Sequence, residues 1–254
     1  MKILFFGDCM FGRDNNNFVT NPFINIEHFI KKVDLIIFNL ETVISPNSIS
    51  EDYRNNKVFN YQSNGIQLLT LRSLTNNPII VSIANNHSLD YKVNGHVNTK
   101  QFLLKNNILF AEYKNYLELD EIIYISVSDH CGCKDIKHWG KFIWIIDYNN
   151  LQPFLNIIKE IRQKTNKTFI VSIHWGSNWL KSMPNNMIDL GHKMIDNGVS
   201  IIYGHSAHHI PPLPIEKYKD GLIIYGLGDF INDYAIDTDY KSDESLMCAV
   251  DTKN

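Results

Sequence analysis

Apolar runs in this chain repeatedly stop at a polar residue able to bind a cation or move a proton. MKILFF ends at Gly7-Asp8, DLIIF at Asn39-Leu40-Glu41, IIVSIA at Asn85-Asn86-His87, FIVSI at His174-Trp175-Gly176, and VSIIY at Gly204-His205-Ser206-Ala207-His208-His209. Unbroken Val/Ile/Leu/Phe runs of this kind read as strands buried on both faces. A polar residue just past such a run lies at the strand's C-terminal end, where open α/β sheets carry their sites. Five such endings in 254 residues, in a chain with only ten His, are not easily a coincidence.

The remaining pattern alternates between strand and helix. The runs predict strands over 2–6, 34–39 and 79–84, with a short strand at 108–110 and helices at about 25–32, 64–75 and 94–106. That rhythm implies βαβ units and a largely parallel sheet. Residues 45–60 read as a polar loop with room for a short strand, and 116–147 as two or three strands joined by turns. Further on, helix 151–163 precedes strand 168–173. Helix 185–197 ends at Asn197-Gly198, a plausible left-handed cap. Strands 199–203, 222–227 and 245–250 follow, and Pro211, Pro212 and Pro214 stiffen the loop behind the His cluster. No repeat or linker divides the chain, so the expectation is one α/β domain over 1–254 with two packed sheets.

Composition narrows the function classes. A hydrophobic content of 44% supports a globular core. A net charge of -3 with no basic cluster argues against a nucleic-acid partner. Cys9, Cys131, Cys133 and Cys248 match no zinc spacing and read as reduced thiols. Met1-Lys2 leads directly into ILFF, too short for a secretory leader, and no apolar stretch nears the roughly 18 residues of a membrane helix. A cytoplasmic location without a membrane span is expected.

Each candidate residue has a plain alternative. Asp8 and Glu41 at strand ends suit a cation, since a buried unpaired carboxylate is costly; a strand-ending Asp is also a routine cap or turn former. Asn86-His87 suits a metal ligand beside a proton donor, or an ordinary turn. Asp90 is placed to fix the His87 tautomer. His174 alone reads equally as a satisfied core histidine. His205 and His208, three apart in a loop, can converge on one ion such as Zn, Mn or Fe. His209 reads as their neighbour. Mixed Asp/Glu/Asn/His ligation is typical of hydrolytic sites with one or two divalent ions.

In order and spacing, GDCMFGR, NLET, SIANNHSLDY, SIHWG, IIYGHSAHHIPPLPIE and IIYGLGDFI resemble the motifs of the CapA proteins. These are poly-gamma-glutamate capsule biosynthesis proteins with a calcineurin-like metallophosphatase fold, and the resemblance runs from Met1 to about Asp239. It implies a four-layer α/β/β/α sandwich with the metal site between strand ends. It implies Asp8, Glu41, Asn86, His174, His205 and His208 as metal ligands and His87 as the catalytic acid. Arg13 would meet a small or polymeric anionic substrate through its guanidinium. The chain departs from the pattern in places. Cys9-Met10 replaces the rest of a DxH motif, Asn178 stands in the Glu position of HWGxE, and Asp229 stands where LGNF has Asn. The expected activity is metal-dependent hydrolysis, with polyglutamate binding or a catalytically silent scaffold as alternatives.

Overall fold

A computed structural model describes residues 1–12, 21–47, 49–50, 57, 59–129, 141–234 and 236–253 of the chain. Two sheets face each other, and helices cover both outer surfaces. The first contains β1 (Lys2–Met10), β2 (Leu35–Leu40), β5 (Ile79–Ser82), β12 (Asp229–Asn232) and β13 (Cys248–Asp251), in the order β12-β1-β2-β5. One flank of β1 is shared. Its first half, Lys2 to Phe5, pairs with β13 antiparallel, and its second half pairs with β12 in parallel. The second sheet runs β10 (Ile215–Tyr218), β11 (Gly221–Ile224), β9 (Ile201–His205), β8 (Thr168–His174), β7 (Ile122–Ser128) and β6 (Leu117–Glu118). Two short strands, β3 (Val43–Ile44) and β4 (Gln62–Ser63), pair in parallel apart from both.

The alternation of side chains explains why the central strands carry apolar residues on both faces. Ile3 and Phe5 of β1 point to the inter-sheet layer with Leu35, Ile37, Tyr124, Ile170, Tyr203 and Ile224. Leu4 and Phe6 point outward and pack with Phe23, Ile30, Leu68, Leu71, Phe102 and Leu103 from the covering helices. On the far side, Ile123, Ile125, Phe169, Val171 and Ile202 pack under the helices Gln152–Lys164 and Asn185–Asp196 through Phe154, Ile158, Leu190 and Met194. Both faces of the central strands are therefore dry. The result is the α/β/β/α sandwich, with mixed sheets because β6, β10 and β13 pair antiparallel.

Several expected boundaries shift. β1 does not stop at residue 6. It continues through Gly7-Asp8 to Met10 with an irregularity between Asp8 and Cys9, so Asp8 sits at a bulge within the strand. Bulges re-aim side chains next to sites. Gly7 is required there: a Cβ would lie 2.0 Å from Gly228 O, whose residue accepts the Asp8 amide at 2.9 Å. The run at 108–110 contributes one bridge, Ile80 to Leu109, and the run ending at 147 one bridge, Ser128 to Ile145. β10 and β12 escaped the sequence reading because the first is a polar edge hairpin strand and the second begins with an Asp. Among the described residues, no helix is long and apolar enough to cross a membrane.

Candidate metal centre

The C-terminal ends of β2, β5, β8 and β9 meet the Asp8 bulge in one buried polar cluster. Glu41 follows β2 and is fully buried; Asp8 is 2% exposed and His208 8%. One atom from each of these three lies within 4.8 Å of the others. Asn39 holds the carboxylates in place. Its Nδ2 donates to Asp8 Oδ1 and to Glu41 Oε2, both at 2.9 Å. Asn85 in turn donates to Asn39 Oδ1 at 2.9 Å. The Ser206 amide donates to the other Asp8 oxygen at 3.0 Å.

One oxygen is left over. Glu41 Oε1 has no hydrogen-bond partner although it is buried. Around it stand three imidazole Nε2 atoms: His208 at 3.7 Å, His87 at 4.0 Å and His174 at 4.0 Å. An unpartnered buried carboxylate oxygen carries a full desolvation cost. Asn86 Oδ1 and Ser206 Oγ are also buried without a partner. The loop carrying His205 to His209 is strained, with φ of 110° at Ser206 and 58° at His208. Such non-glycine values persist where the surroundings over-determine the backbone, often at functional sites.

Electrostatics reflects the crowding of acids. Burial pushes Asp8 up to about 6; Asp229 adds to the rise, against the pull of His208, Asn39 and the Ser206 amide. Burial also raises Glu41 well above the usual carboxylate range. Burial alone would lower His208, but Glu41, Asp229 and Asp8 overcome it and hold the ring protonated up to about 10. The site thus recruits a positive charge to offset its carboxylates. Two acids, a third acid beside them and converging neutral nitrogens form a donor set that fits a divalent first-row ion.

The expected residues fall into groups. Asp8, Glu41 and His208 come together, with His174 and His87 facing the same Glu41 oxygen. His205 lies one layer behind: its Nδ1 is 3.0 Å from His174 Nδ1, and its Nε2 is 3.0 Å from Ser172 Oγ. Burial keeps His205 well below the usual histidine range. One of the two facing Nδ1 atoms must carry a proton, or a cation must stand in for it. His87 Nδ1 lies 2.6 Å from Asp90 Oδ2, and its ring stacks on Tyr61 with centroids 3.9 Å apart. Burial lowers His87 to about 4, against the opposing effect of Asp90. His209 turns away, with both ring nitrogens near backbone carbonyls of Ala207 and Leu180. Arg13 lies outside the described residues. Asn178 is exposed.

Four further residues that no sequence motif marked as participants line the cluster. Asp229 holds His208 Nδ1 at 2.8 Å; the GDF segment that carries it was visible as a departure only. Lys57 donates to Asp90 Oδ1 at 2.8 Å and to the Asn86 carbonyl at 2.5 Å, from a polar loop with no pattern to single it out. Tyr61 and Tyr234 stack on each other, 3.9 Å apart, behind His87.

Known proteins resemble this chain in sequence and in fold. The family model described as bacterial capsule synthesis protein PGA_cap matches residues 2–131 and 128–234. A probable polyglutamine synthesis accessory protein of Mycobacterium tuberculosis is 28% identical over 220 residues, covering 79% of this chain and 56% of that protein. The PGA biosynthesis protein CapA of Bacillus subtilis is 25% identical over 247 residues, covering 90% of this chain and 62% of its own length. The chain therefore spans under two thirds of these relatives. In fold, a crystal structure titled a novel phosphatase, from Mycoplasma pneumoniae, aligns with a TM-score of 0.50 at 15% identity, over 90% of this chain and 72% of that one. The TT1561 protein of Thermus thermophilus aligns with a TM-score of 0.51 at 10% identity, over 90% and 89%.

Proposed function

This chain belongs to the bacterial capsule synthesis protein family, and from that membership and the buried cluster we propose that it is a metal-dependent hydrolase with phosphoesterase chemistry. The observation that carries the reading is Glu41 Oε1, buried, without a hydrogen-bond partner, and faced by three Nε2 atoms. Asp8, Glu41 and His208 would hold one divalent ion, and Glu41, Asn86 and His174 a second, with His205 behind His174. Such ions, when bound, lower the pKa of water and neutralise phosphate oxygens.

The chain's own residues supply the rest. Asn39 keeps both carboxylates aimed inward, with each Nδ2 hydrogen spent on one of them. Asp90 binds His87 Nδ1 and leaves Nε2 pointing at the cluster. A phosphate beside Nε2 would raise its proton affinity, since a nearby anion favours the charged imidazole. His87 can then hand that proton to a leaving oxygen. Lys57 donates to Asp90 Oδ1 at 2.8 Å, and Tyr61 stacks on the face of the ring.

The test pairs elemental analysis with turnover of p-nitrophenyl phosphate and bis(p-nitrophenyl) phosphate. Bound transition metal and metal-dependent turnover are expected. His87→Asn should keep the metal and lose roughly 10²- to 10⁴-fold in turnover. Folded protein that takes up no Mn, Fe or Zn would refute the reading. Metal without turnover on any ester would favour the silent scaffold.

A second reading rests on the names of the relatives, which concern polyglutamate or polyglutamine synthesis. There the site would act on or bind a gamma-glutamyl polymer. Calorimetry with polyglutamate discriminates, and no heat at millimolar polymer would count against it.

A further inference from the structure

β12 places Asp229 beside Asp8: the two are registered partners across the parallel pair, although 221 residues separate them in sequence. Asp229 is 4% exposed. Putting a second carboxylate next to Asp8 costs free energy unless it has a specific task. Both of its oxygens are committed. Oδ1 meets His208 Nδ1 at 2.8 Å, and Oδ2 accepts from Asn232 Nδ2 at 2.7 Å. Asp229 is therefore outside the group of atoms that converge on Glu41.

The His208 ring has two nitrogens and two possible orientations toward the cluster. Nδ1 is 3.9 Å from Asp8 Oδ2, and Nε2 is 3.7 Å from the unpartnered Glu41 oxygen. Distance to the carboxylates does not choose between them; the hydrogen bond to Asp229 does. Once the ring gives up its second proton on metal uptake, a carboxylate on Nδ1–H makes Nε2 the atom with the free lone pair and raises its basicity.

We propose that Asp229 is the positioning residue of His208: it fixes the proton on Nδ1 and presents Nε2 to the metal position. The chain lacks the histidine of the broader DxH motif at Met10, so the Asp8 side of the site relies on His208 for its imidazole. A defect in His208 orientation is then not masked by a second ring. This inference rests on the metal-centre reading above.

The probe is Zn²⁺ alone, titrated by calorimetry into wild type, Asp229→Ala and Asp229→Asn, with circular dichroism to check folding. Asp229→Ala should weaken zinc binding roughly 10- to 100-fold, the usual cost of losing a ligand's outer partner. Asp229→Asn, which retains an acceptor oxygen, should recover most of that loss. Nitrogen-15 NMR of the zinc-loaded wild type, with His208 assigned through His208→Gln, should show its proton on Nδ1. Wild-type zinc affinity in Asp229→Ala overturns the proposal. So does Asn as weak as Ala, because charge and not the hydrogen bond would then be responsible. A proton on Nε2 overturns it as well. Wild type that binds no zinc overturns the metal-centre reading itself, and this inference with it.

Discussion

Nδ1 of His174 lies 3.0 Å from Nδ1 of His205. The parallel register of β8 and β9 sets these two residues directly opposite each other. Two lone pairs cannot face each other at that distance, so the pair shares either a proton or a cation. On the metal reading the two act as a unit. His174→Ala and His205→Ala are each expected to remove metal to a similar extent, and the double variant to do little more than either single, as contacting residues are non-additive. Plasma mass spectrometry of the three variants checks this. Additive losses would separate the two histidines.

Metal uptake should release a proton from His208. The ring is held protonated up to about 10 by Glu41, Asp229 and Asp8 against the effect of burial, and a ligating imidazole must be neutral. Apparent affinity should therefore rise with pH, by about tenfold per unit for one proton, and level off near 10. Calorimetry at pH 7 in buffers of different ionisation enthalpy reads the proton count. No released proton would contradict the assignment.

In the metal-free protein the contribution of Asp8 to stability should fall as pH rises across the acidic range, while His87 and His205, lowered by burial, act in the opposite sense. Asp8 titrates near 6 in the fold against an ordinary 3.8, because burial raises it. In that window the native state binds more protons than the unfolded chain, so stability falls as pH increases. The contribution is present below about 4 and gone above about 6. Thermal unfolding in chelator at pH 4.5 and 7 should show Asp8→Asn gaining stability relative to wild type between the two pH values. Asp8→Asn should also be the more stable of the two at pH 7, yet gain less from added divalent ion. An identical pH dependence in both would refute the origin in Asp8.

Tyr203 links the sheets. Its hydroxyl donates to Phe6 O at 2.7 Å and accepts from the Asn39 amide at 3.0 Å, while its ring lies in the inter-sheet layer. Tyr203→Phe keeps the ring and strands a buried amide and carbonyl, so a loss of about 1–3 kcal/mol is expected. Urea unfolding measures it. Because Asn39 holds Asp8 and Glu41, metal affinity should fall too; unchanged affinity would mean the Asn39 side chain is fixed independently of its backbone.

Part of the candidate cluster was legible as local pattern. Glu41 and His174 each follow a mostly apolar run, LIIFNL and FIVSI, and such a run announces a buried strand whose end delivers a side chain to a shared edge. The sandwich itself followed from the same periodicity together with the family motifs, since strands apolar on both faces need a cover on each. The nine-residue extent of β1 was not legible, because Gly7-Asp8 reads as a stop and becomes a bulge only when Gly228 packs against it.

The sequence alone therefore determined which runs form most of the buried strands and which family the chain resembles, both properties carried by short-range periodicity and motif order. Tertiary structure alone decided the partnerships. Asp229 reaches His208 only because β12 adds to β1 in parallel. His87 gains Asp90 from its own turn, but Tyr61, Tyr234 and Lys57 only through loops folded over it. Which nitrogen of each imidazole faces Glu41 depends on those partners. Pairings between distant segments depend on strand order and register, and no local pattern of apolar and polar residues encodes either.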